Sequence, residues 1–298
     1  MSLFGRVCAR DGGGTTVSLP GKRTEQLLAY LLVQRDRQHH REVLAGTLWP
    51  ESSAAQSRKY LRQSLWQLRS LGIDDGLLIH DADWIRVDGG RLWLDVAELE
   101  AAYAPVRFTA GEQLTAEQAA ELKRVVPLYR GELLEGFYED WCIYERERLK
   151  ALYLSLLEKL LAYCEGHAEA EEGIGYGQEL LRHDRAHERA HWRLMRLHCL
   201  AGNRTAALRQ YELCRQALDE ELQTVPGDQI RRLHRQIRAG EALVIQPLGR
   251  SGTLPGTASS TTPLEQALEA LTVAHELILQ TLDAARRNGH SAERLPHR

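Results

Sequence analysis

Two groups of residues in this chain have types and spacings that could do chemistry. The first is His187-Glu188-Arg189-Ala190-His191, which satisfies the pattern H-E-x-x-H. On a helix, this spacing places two imidazoles on one face as zinc ligands and leaves the glutamate as a general base. Arg185 and Arg189 would put positive charge beside such a metal, and no convincing third ligand follows. We therefore predict a binding protein with no catalytic residue, no metal site and no cofactor.

The second group is a run of basic residues within 52–73, where no aspartate or glutamate occurs. If Leu61, Leu65 and Leu68 form the buried stripe of a helix, a rotation of about 100° per residue turns the basic and polar side chains outward. Arginine, lysine and glutamine can contact base edges, and an aromatic ring can contact a thymine methyl group. We predict that bases are read by Lys59, Arg62, Gln63, Trp66 and Gln67, and that phosphates are held by Ser57, Arg58 and Arg69.

A basic run is also typical of a helix face that contacts only solvent, so the surrounding elements matter. Extended runs over 3–9 and 15–19 flank a glycine-rich turn, and helices are predicted over 24–33, 41–49 and 54–71, with a polar connection through His39 and His40. Strands are predicted over 77–79, 84–87 and 92–94. This order is typical of a winged helix-turn-helix, here over residues 1–103. Trp66 could contact a DNA groove or pack against a neighbouring element.

The pattern becomes helical after about residue 116, and a repeat of about 34 residues pairs Leu160 with Leu194 and Gly173 with Ala207. This period predicts an all-α, TPR-like domain over 116–245. Gly173 and Gly177 weaken helix propensity, so we expect the earlier hairpin of the repeat to be looser than the later one. The fold class is thus mainly α with a small α+β part.

Residues 246–262 are rich in proline, glycine, serine and threonine and are predicted to be a flexible linker. An amphipathic C-terminal helix is predicted over 263–290, with apolar residues at alternating spacings of four and three. This apolar stripe fits two structures. One is a coiled coil that dimerises the protein, and the other is a helix that folds back onto the repeats. His275 would lie in the seam of such a coiled coil.

Composition places the chain among ordinary globular proteins. Its 298 residues correspond to about two domains, with 43% hydrophobic and 27% charged residues. No apolar run approaches the roughly 20 residues of a membrane helix, and the five cysteines form no C-x-x-C pair. We expect a cytoplasmic protein without a membrane partner. Because the net charge is −3, DNA contact must come from a local patch.

Several runs of the sequence resemble one family of regulators. The runs 27–31, 44–49 and 58–69 resemble the winged helix of OmpR/PhoB-type regulators. Residues 129–141, which read Y-R-G-E-L-L-E-G-F-Y-E-D-W, are similar to the start of a bacterial transcriptional activator domain. The later repeats of that domain are similar to residues 194–197, 202–211 and 220–226. Over about residues 1–241, the chain resembles the SARP/AfsR-type (antibiotic regulatory protein) activators.

The resemblance implies a transcription factor that binds direct repeats in double-stranded DNA near a promoter and helps to recruit RNA polymerase. We expect the protein to be a homodimer and to contact the sigma or alpha subunit of the polymerase. It also implies that the third helix enters the major groove. Family wings usually present a Gly-Tyr turn with a basic residue nearby, whereas this turn reads Asp81-Ala82-Asp83-Trp84 and leaves Arg86 as the candidate. The alternative function is a TPR-type protein-interaction scaffold whose winged helix does not read DNA sequence.

Overall fold

The computed structural model describes residues 1–10, 13, 15–73, 76–88 and 92–241. The predicted fold class is confirmed: small sheets occur near the N-terminus, and helices dominate the rest. The chain divides into two compact units, one of residues 1–101 with 127–149, the other of 102–126 with the described residues from 150 onward. The predicted linker over 246–262 and the predicted helix over 263–290 lie outside the described residues.

The first unit contains a short hairpin and a three-stranded sheet. Strands β1 (Ala9–Arg10) and β2 (Thr16–Val17) pair antiparallel. Strands β3 (His39–His40), β4 (Leu78–His80) and β5 (Trp84–Val87) form an antiparallel sheet in the order β3-β5-β4. The predicted strand over 92–94 is wrong, because these residues carry no strand. The third strand is instead β3, which was predicted to be part of a polar connection.

Three helices pack around a leucine-rich core in this unit. They are α1 (Lys22–Val33), α2 (Arg41–Leu48) and α3 (Ala54–Ser70), each within two residues of its predicted bounds. The core side chains have almost no solvent exposure and include Leu27, Leu31, Leu44, Leu68 and Ile85. Both α1 and α2 pack against α3. The three helices and the β4–β5 hairpin thus form the predicted winged helix-turn-helix order.

Three helices follow the sheet, namely α4 (Asp95–Tyr103), α5 (Ala116–Val125) and α6 (Asp140–Gly166), with short 3₁₀ turns at Ala104–Val106, Gly111–Gln113 and Val126–Leu128. The buried Asp95 carboxylate accepts hydrogen bonds from the backbone N–H groups of Leu3 at 2.9 Å and Phe4 at 3.1 Å. Burial raises the pKa of Asp95, whereas these hydrogen bonds act in the opposite direction. The first residues of the chain are therefore fixed to the start of α4.

Residues 127–149 pack with the first unit, although the sequence pattern placed them in the helical domain. The rings of Phe4 and Tyr129 lie 4.8 Å apart, and those of Tyr30 and Trp141 lie 5.2 Å apart in an edge-to-face arrangement. The backbone N–H of Leu134 also donates to the carbonyl of Leu3 at 2.9 Å. Tyr129 and Trp141 are thus structural aromatics that complete the first unit.

The second unit is built from successive helices that pack on one another. After the C-terminal part of α6 come α7 (Ala170–His183), α8 (Glu188–Leu200), α9 (Arg204–Leu222) and α10 (Asp228–Ala239). Its apolar core includes Met195, Cys214, Leu218, Ile230 and Leu233. Among the described residues, no helix combines the length and apolar character needed to cross a membrane.

Two glycines decide how closely α7 and α8 approach. A Cβ atom on Gly173 would lie 2.8 Å from a methyl carbon of Leu197 and 2.9 Å from Cβ of Cys164. A Cβ atom on Gly177 would lie 2.6 Å from Leu194. Both glycines are buried, and each lets a leucine of α8 occupy the space that a side chain would fill. The expectation that the earlier hairpin of the repeat is looser than the later one stays a prediction.

Candidate nucleic-acid interface

Helix α3 presents one buried side and one charged side. It begins after Ser53, whose side chain accepts a hydrogen bond from the backbone N–H of Gln56 at 3.3 Å. Leu61, Leu65 and Leu68 are buried, as predicted. The opposite side is exposed, and we define the α3 face as Arg58, Lys59, Arg62, Gln63, Trp66 and Arg69.

Trp66 is the most exposed tryptophan of the described residues, with 67% of its surface accessible to solvent. It does not pack into a neighbouring element, which was the alternative that the sequence left open. Arg62 lies one helical turn earlier on the same exposed side of α3, which gives this side an amphipathic patch with one aromatic and one cationic side chain. Such a patch is chemically suited to the major groove of DNA, where the methyl group of a thymine can lie beside the acceptor atoms of a neighbouring base.

Arg58 has an acidic partner on the neighbouring helix. Its guanidinium lies 3.1 Å from a carboxylate oxygen of Glu42 on α2, and about half of each side chain is exposed. An exposed ion pair of this kind contributes at most about 1 kcal/mol, so a phosphate can compete for the arginine. Because Glu42 lies beside Arg58, the surface around the α3 face carries a negative charge that the sequence of α3 alone does not show.

Ser57 is not on the exposed side of α3, and its predicted phosphate contact is wrong. It is buried, and its hydroxyl lies within hydrogen-bond distance of the carbonyl oxygens of Trp49, at 3.1 Å, and of Ser53, at 3.2 Å. The helical rotation that exposes Arg58 turns the preceding residue inward. Ser57 therefore helps to hold the start of α3 against the end of α2.

Gln67 is half-buried, and its side chain already has a partner. The hydroxyl of Thr24 on α1 donates a hydrogen bond to Oε1 of Gln67. Reading a base would require this bond to break. The structure thus gives Gln67 a tethering role between α1 and α3, and it leaves Lys59, Arg62, Gln63 and Trp66 as the exposed candidates for base contacts.

The turn between β4 and β5 is acidic and exposed, as its sequence indicates. Asp81, Ala82 and Asp83 all face solvent, and the Asp81 side chain accepts a hydrogen bond from the backbone N–H of Ala82 at 2.7 Å. Trp84 is 43% exposed, and its ring packs edge-to-face on His40 at 5.2 Å. Carboxylates at this tip would be repelled by phosphates, whereas the exposed Arg86 lies on the strand behind it.

The H-E-x-x-H residues have structural roles in the first turn of α8. His187 is the N-cap residue and accepts a hydrogen bond from the backbone N–H of Ala190 at 3.1 Å. Glu188 accepts one from the backbone N–H of Gly227 at 3.0 Å. Buried His191 uses both ring nitrogens, one 2.9 Å from the carbonyl of Arg185 and the other 2.6 Å from the amide of Gln210. The three side chains thus hold α8 in place within the second unit.

A second group with metal-ligating atoms lies near the end of α6. Cys164, Glu169 and Glu172 place one ligand atom each within 4.8 Å of one another. Lys123 occupies this position, with its ammonium 2.7 Å from Glu169 and 2.5 Å from Glu172. Burial raises the pKa of Cys164 to about 12, so its sulfur is a neutral thiol at pH 7. The group is therefore an ion-pair cluster centred on a lysine.

The chain is similar to known bacterial regulators in sequence and in fold. The model of the bacterial transcriptional activator domain matches residues 94–238. The regulatory protein AfsR of Streptomyces coelicolor is 30% identical over 239 residues, which cover 76% of this chain and 23% of that protein. The chain is therefore similar to regulators of the SARP/AfsR type, both in the matched domain and in the aligned stretch of AfsR.

A solved structure shares the fold of this chain. Mycobacterium tuberculosis EmbR, in complex with a low-affinity phosphopeptide, superimposes with a TM-score of 0.64 at 18% identity. The match covers 94% of this chain and 70% of the EmbR chain. The chain spans about a quarter of the length of AfsR, and the domain match over 94–238 does not include α3. What the α3 face binds must therefore be inferred from the side chains of that face.

Proposed function

We propose that this protein is a transcriptional regulator of the SARP type, namely a sequence-specific, double-stranded DNA-binding protein of the cytoplasm that activates transcription. The α3 face would enter the major groove, at direct repeats near a promoter. The observation that carries this proposal is an exposed helix side with four basic residues, a glutamine and a tryptophan, on a helix that contains no carboxylate. Its buried side is anchored by leucines, which gives the face a fixed orientation in the unit.

The roles of the side chains follow from their chemistry and exposure. Lys59, Arg62, Gln63 and Trp66 would contact base edges, because they lie on the central exposed strip of α3. Arg58 and Arg69 flank that strip and would contact phosphates, which fix the register of a protein on DNA but carry no sequence information. Ser57 and Gln67 are left out of the proposed contact set because their side chains are engaged within the unit.

Selection of binding sites from random duplexes at near-physiological salt tests the proposal. The wild-type protein is compared with Lys59→Ala/Arg62→Ala and with a control, Arg182→Ala/Arg215→Ala, which removes the same charge from exposed sites on α7 and α9. We expect the wild type and the control to enrich one motif, arranged as a direct repeat. The α3 variant should lose it while its unfolding midpoint stays the same.

Two results would contradict the proposal. If the α3 variant enriched the same motif as the wild type, DNA reading would belong to other residues. If no protein enriched a motif and binding were weak and steeply salt-dependent, α3 would be only a basic face. The protein-interaction scaffold would then be the better description of this chain.

Recruitment of RNA polymerase and assembly into a homodimer belong to the same proposal. Stacked helix pairs form protein-binding surfaces, and the second unit has this construction. Transcription from a promoter carrying the selected repeat, with purified polymerase holoenzyme, should rise when the regulator is added. If the 263–290 segment forms a coiled coil, truncation after Ile245 should convert the dimer to a monomer in light scattering. A truncated protein that is still a dimer would show that this segment does not cause dimerisation.

A further inference from the structure

Helix α10 has a second exposed basic surface, far from α3 in sequence. Ile230, Leu233 and Ile237 form its buried stripe. Four arginines lie on the remaining surface and are exposed, and we define the α10 arginine face as Arg231, Arg232, Arg235 and Arg238. Asp228 in the first turn is the only carboxylate on the helix. The signal in the sequence is the spacing R-R-x-x-R-x-x-R, which lies outside the predicted recognition helix.

The arginines of this face differ from most other exposed arginines in the second unit. Arg182 on α7 and Arg215 on α9 each pair with a glutamate three residues earlier, at Glu179 and Glu212. On α10, Arg231 pairs with Asp228 at 2.6 Å. Within the part of the chain that the structure describes, no ion pair joins Arg232, Arg235 or Arg238 to a carboxylate. Three positive charges on one short helix are therefore left without an acidic partner there.

The chemistry around these arginines favours phosphates over a protein surface. The other exposed side chains of α10 are polar or small, including Gln229 and Gln236, and the helix exposes no large apolar residue. Stable protein interfaces need a desolvated apolar or aromatic centre, whereas DNA backbone contacts are made mostly by arginine, lysine and small polar groups. Arginine also suits phosphate because its guanidinium can donate two parallel hydrogen bonds.

The helix that carries these arginines is held firmly in its unit. Arg204 on α9 donates hydrogen bonds to the carbonyls of Ile237 at 2.8 Å and Arg238 at 2.9 Å, at the end of α10. The ring of His234 stacks on Tyr211 at 3.9 Å. A helix of 12 residues is about 18 Å long, a distance over which duplex DNA carries about ten phosphate charges. The backbone positions of the four arginines are thus fixed before any ligand binds.

We propose that the α10 arginine face is a sequence-independent DNA contact that binds the phosphate backbone. It deepens the proposed function and rests on one part of it, namely that this protein binds double-stranded DNA. The two surfaces have different roles. The α3 face selects the DNA sequence, and the α10 arginine face adds binding affinity that is the same for every sequence.

Binding of the full-length protein to two duplexes over a range of salt concentrations tests this assignment. One duplex carries the motif selected by the wild type, and the other is an unrelated sequence of equal length. The variant is Arg232→Gln/Arg235→Gln/Arg238→Gln. The matched control, Arg182→Gln/Arg185→Gln/Arg215→Gln, removes the same charge from exposed arginines that already have acidic partners.

We expect the α10 variant to weaken binding to both duplexes by the same factor, roughly 10- to 100-fold at about 0.15 M salt, and to keep the ratio between them. The slope of log K against log salt should become shallower by about 0.9 for each phosphate that the variant no longer neutralises. The control should retain the wild-type slope. Lys59→Ala/Arg62→Ala should show the opposite pattern, with a collapsed ratio between the two duplexes.

Each other outcome has a defined meaning. An α10 variant with wild-type affinity and slope overturns the proposal, and loss of polymerase-dependent activation by that variant would then assign the face to an acidic protein partner. If the wild type binds both duplexes equally, with a slope that depends on α10, the α3 proposal fails and the α10 proposal stands. If no duplex is bound even at low salt, both fail.

Discussion

Gly177 on α7 faces Leu194 on α8 so closely that a Cβ atom on the glycine would lie 2.6 Å from Cδ2 of the leucine. Leu194 is fully buried, so it has little room to move away. Gly175, two residues earlier on the same helix, faces open space at its Cβ position and is exposed. The two glycines therefore have different reasons for being present, although both lie in the interior of a helix.

Alanine at these two positions should change stability in opposite directions. We expect Gly177→Ala to lower the free energy of unfolding by about 1–3 kcal/mol, since the new methyl group overpacks the α7–α8 contact. Gly175→Ala should raise it by roughly 0.5–1 kcal/mol, because alanine is the better helix former. Urea denaturation of both variants measures this. Equal stabilisation by both would show that α7 and α8 are not packed as described.

Ser57→Ala should affect folding and leave phosphate binding unchanged. Removing the buried hydroxyl takes a hydrogen-bond donor from the carbonyl of Trp49, which should lower the free energy of unfolding by about 1 kcal/mol. Because the side chain does not reach the surface, the slope of DNA affinity against salt should equal that of the wild type. Denaturation and salt-dependent binding on the same variant separate the two effects. A shallower slope would restore Ser57 as a phosphate contact.

Arg62→Ala should relax the preference for one base pair in the bound sequence. A guanidinium that contacts a guanine edge contributes about 1–3 kcal/mol of discrimination, so affinity for the selected motif should fall by that amount. The unfolding midpoint should not move, because Arg62 is exposed. Site selection with this single variant reports the position that loses information. An unchanged motif would remove Arg62 from the set that reads bases.

Acid should destabilise the first unit through His39. Burial lowers the pKa of this imidazole to about 4 from a usual value of 6.5, while Nε2 lies 3.0 Å from the carbonyl of Gln34. As pH falls below 6.5, the unfolded chain takes up the proton first, so stability present at pH 7 is lost progressively towards pH 4. We expect this loss to be on the order of 2 kcal/mol by about pH 5.

The comparison variant for this effect is His39→Gln, which keeps an amide donor near Gln34 but does not titrate. Urea midpoints at about pH 7.5, 6 and 5 should fall more steeply for the wild type than for the variant. Parallel pH profiles would mean that His39 is not the group responsible.

Glu188 should prove to be a structural residue. Glu188→Ala removes the acceptor for the backbone N–H of Gly227, and we expect a loss of about 1 kcal/mol in the free energy of unfolding. Glu188→Gln keeps a side-chain carbonyl in place and should recover most of that loss. Denaturation curves with and without a zinc chelator measure both. A zinc-dependent midpoint that both variants abolish would revive the metal-site interpretation.

The sequence by itself determined the elements whose causes are local. The apolar spacing in α1, α2 and α3 and the stop signals around them placed these helices within two residues, because helical periodicity and capping depend on neighbouring residues. The outward direction of Lys59, Arg62 and Trp66 followed from the same periodicity. The resemblance of residues 129–141 to a bacterial transcriptional activator domain is confirmed by the domain model that matches residues 94–238.

Only the tertiary structure decided features that depend on residues distant in sequence. Strand β3 is two polar residues long and exists because it pairs with β5, which no local pattern encodes. The same holds for Gln67, whose partner lies 43 residues away, and for Gly177, which fits because Leu194 of another helix takes its space. Long-range pairing and close packing, rather than propensity, set these positions.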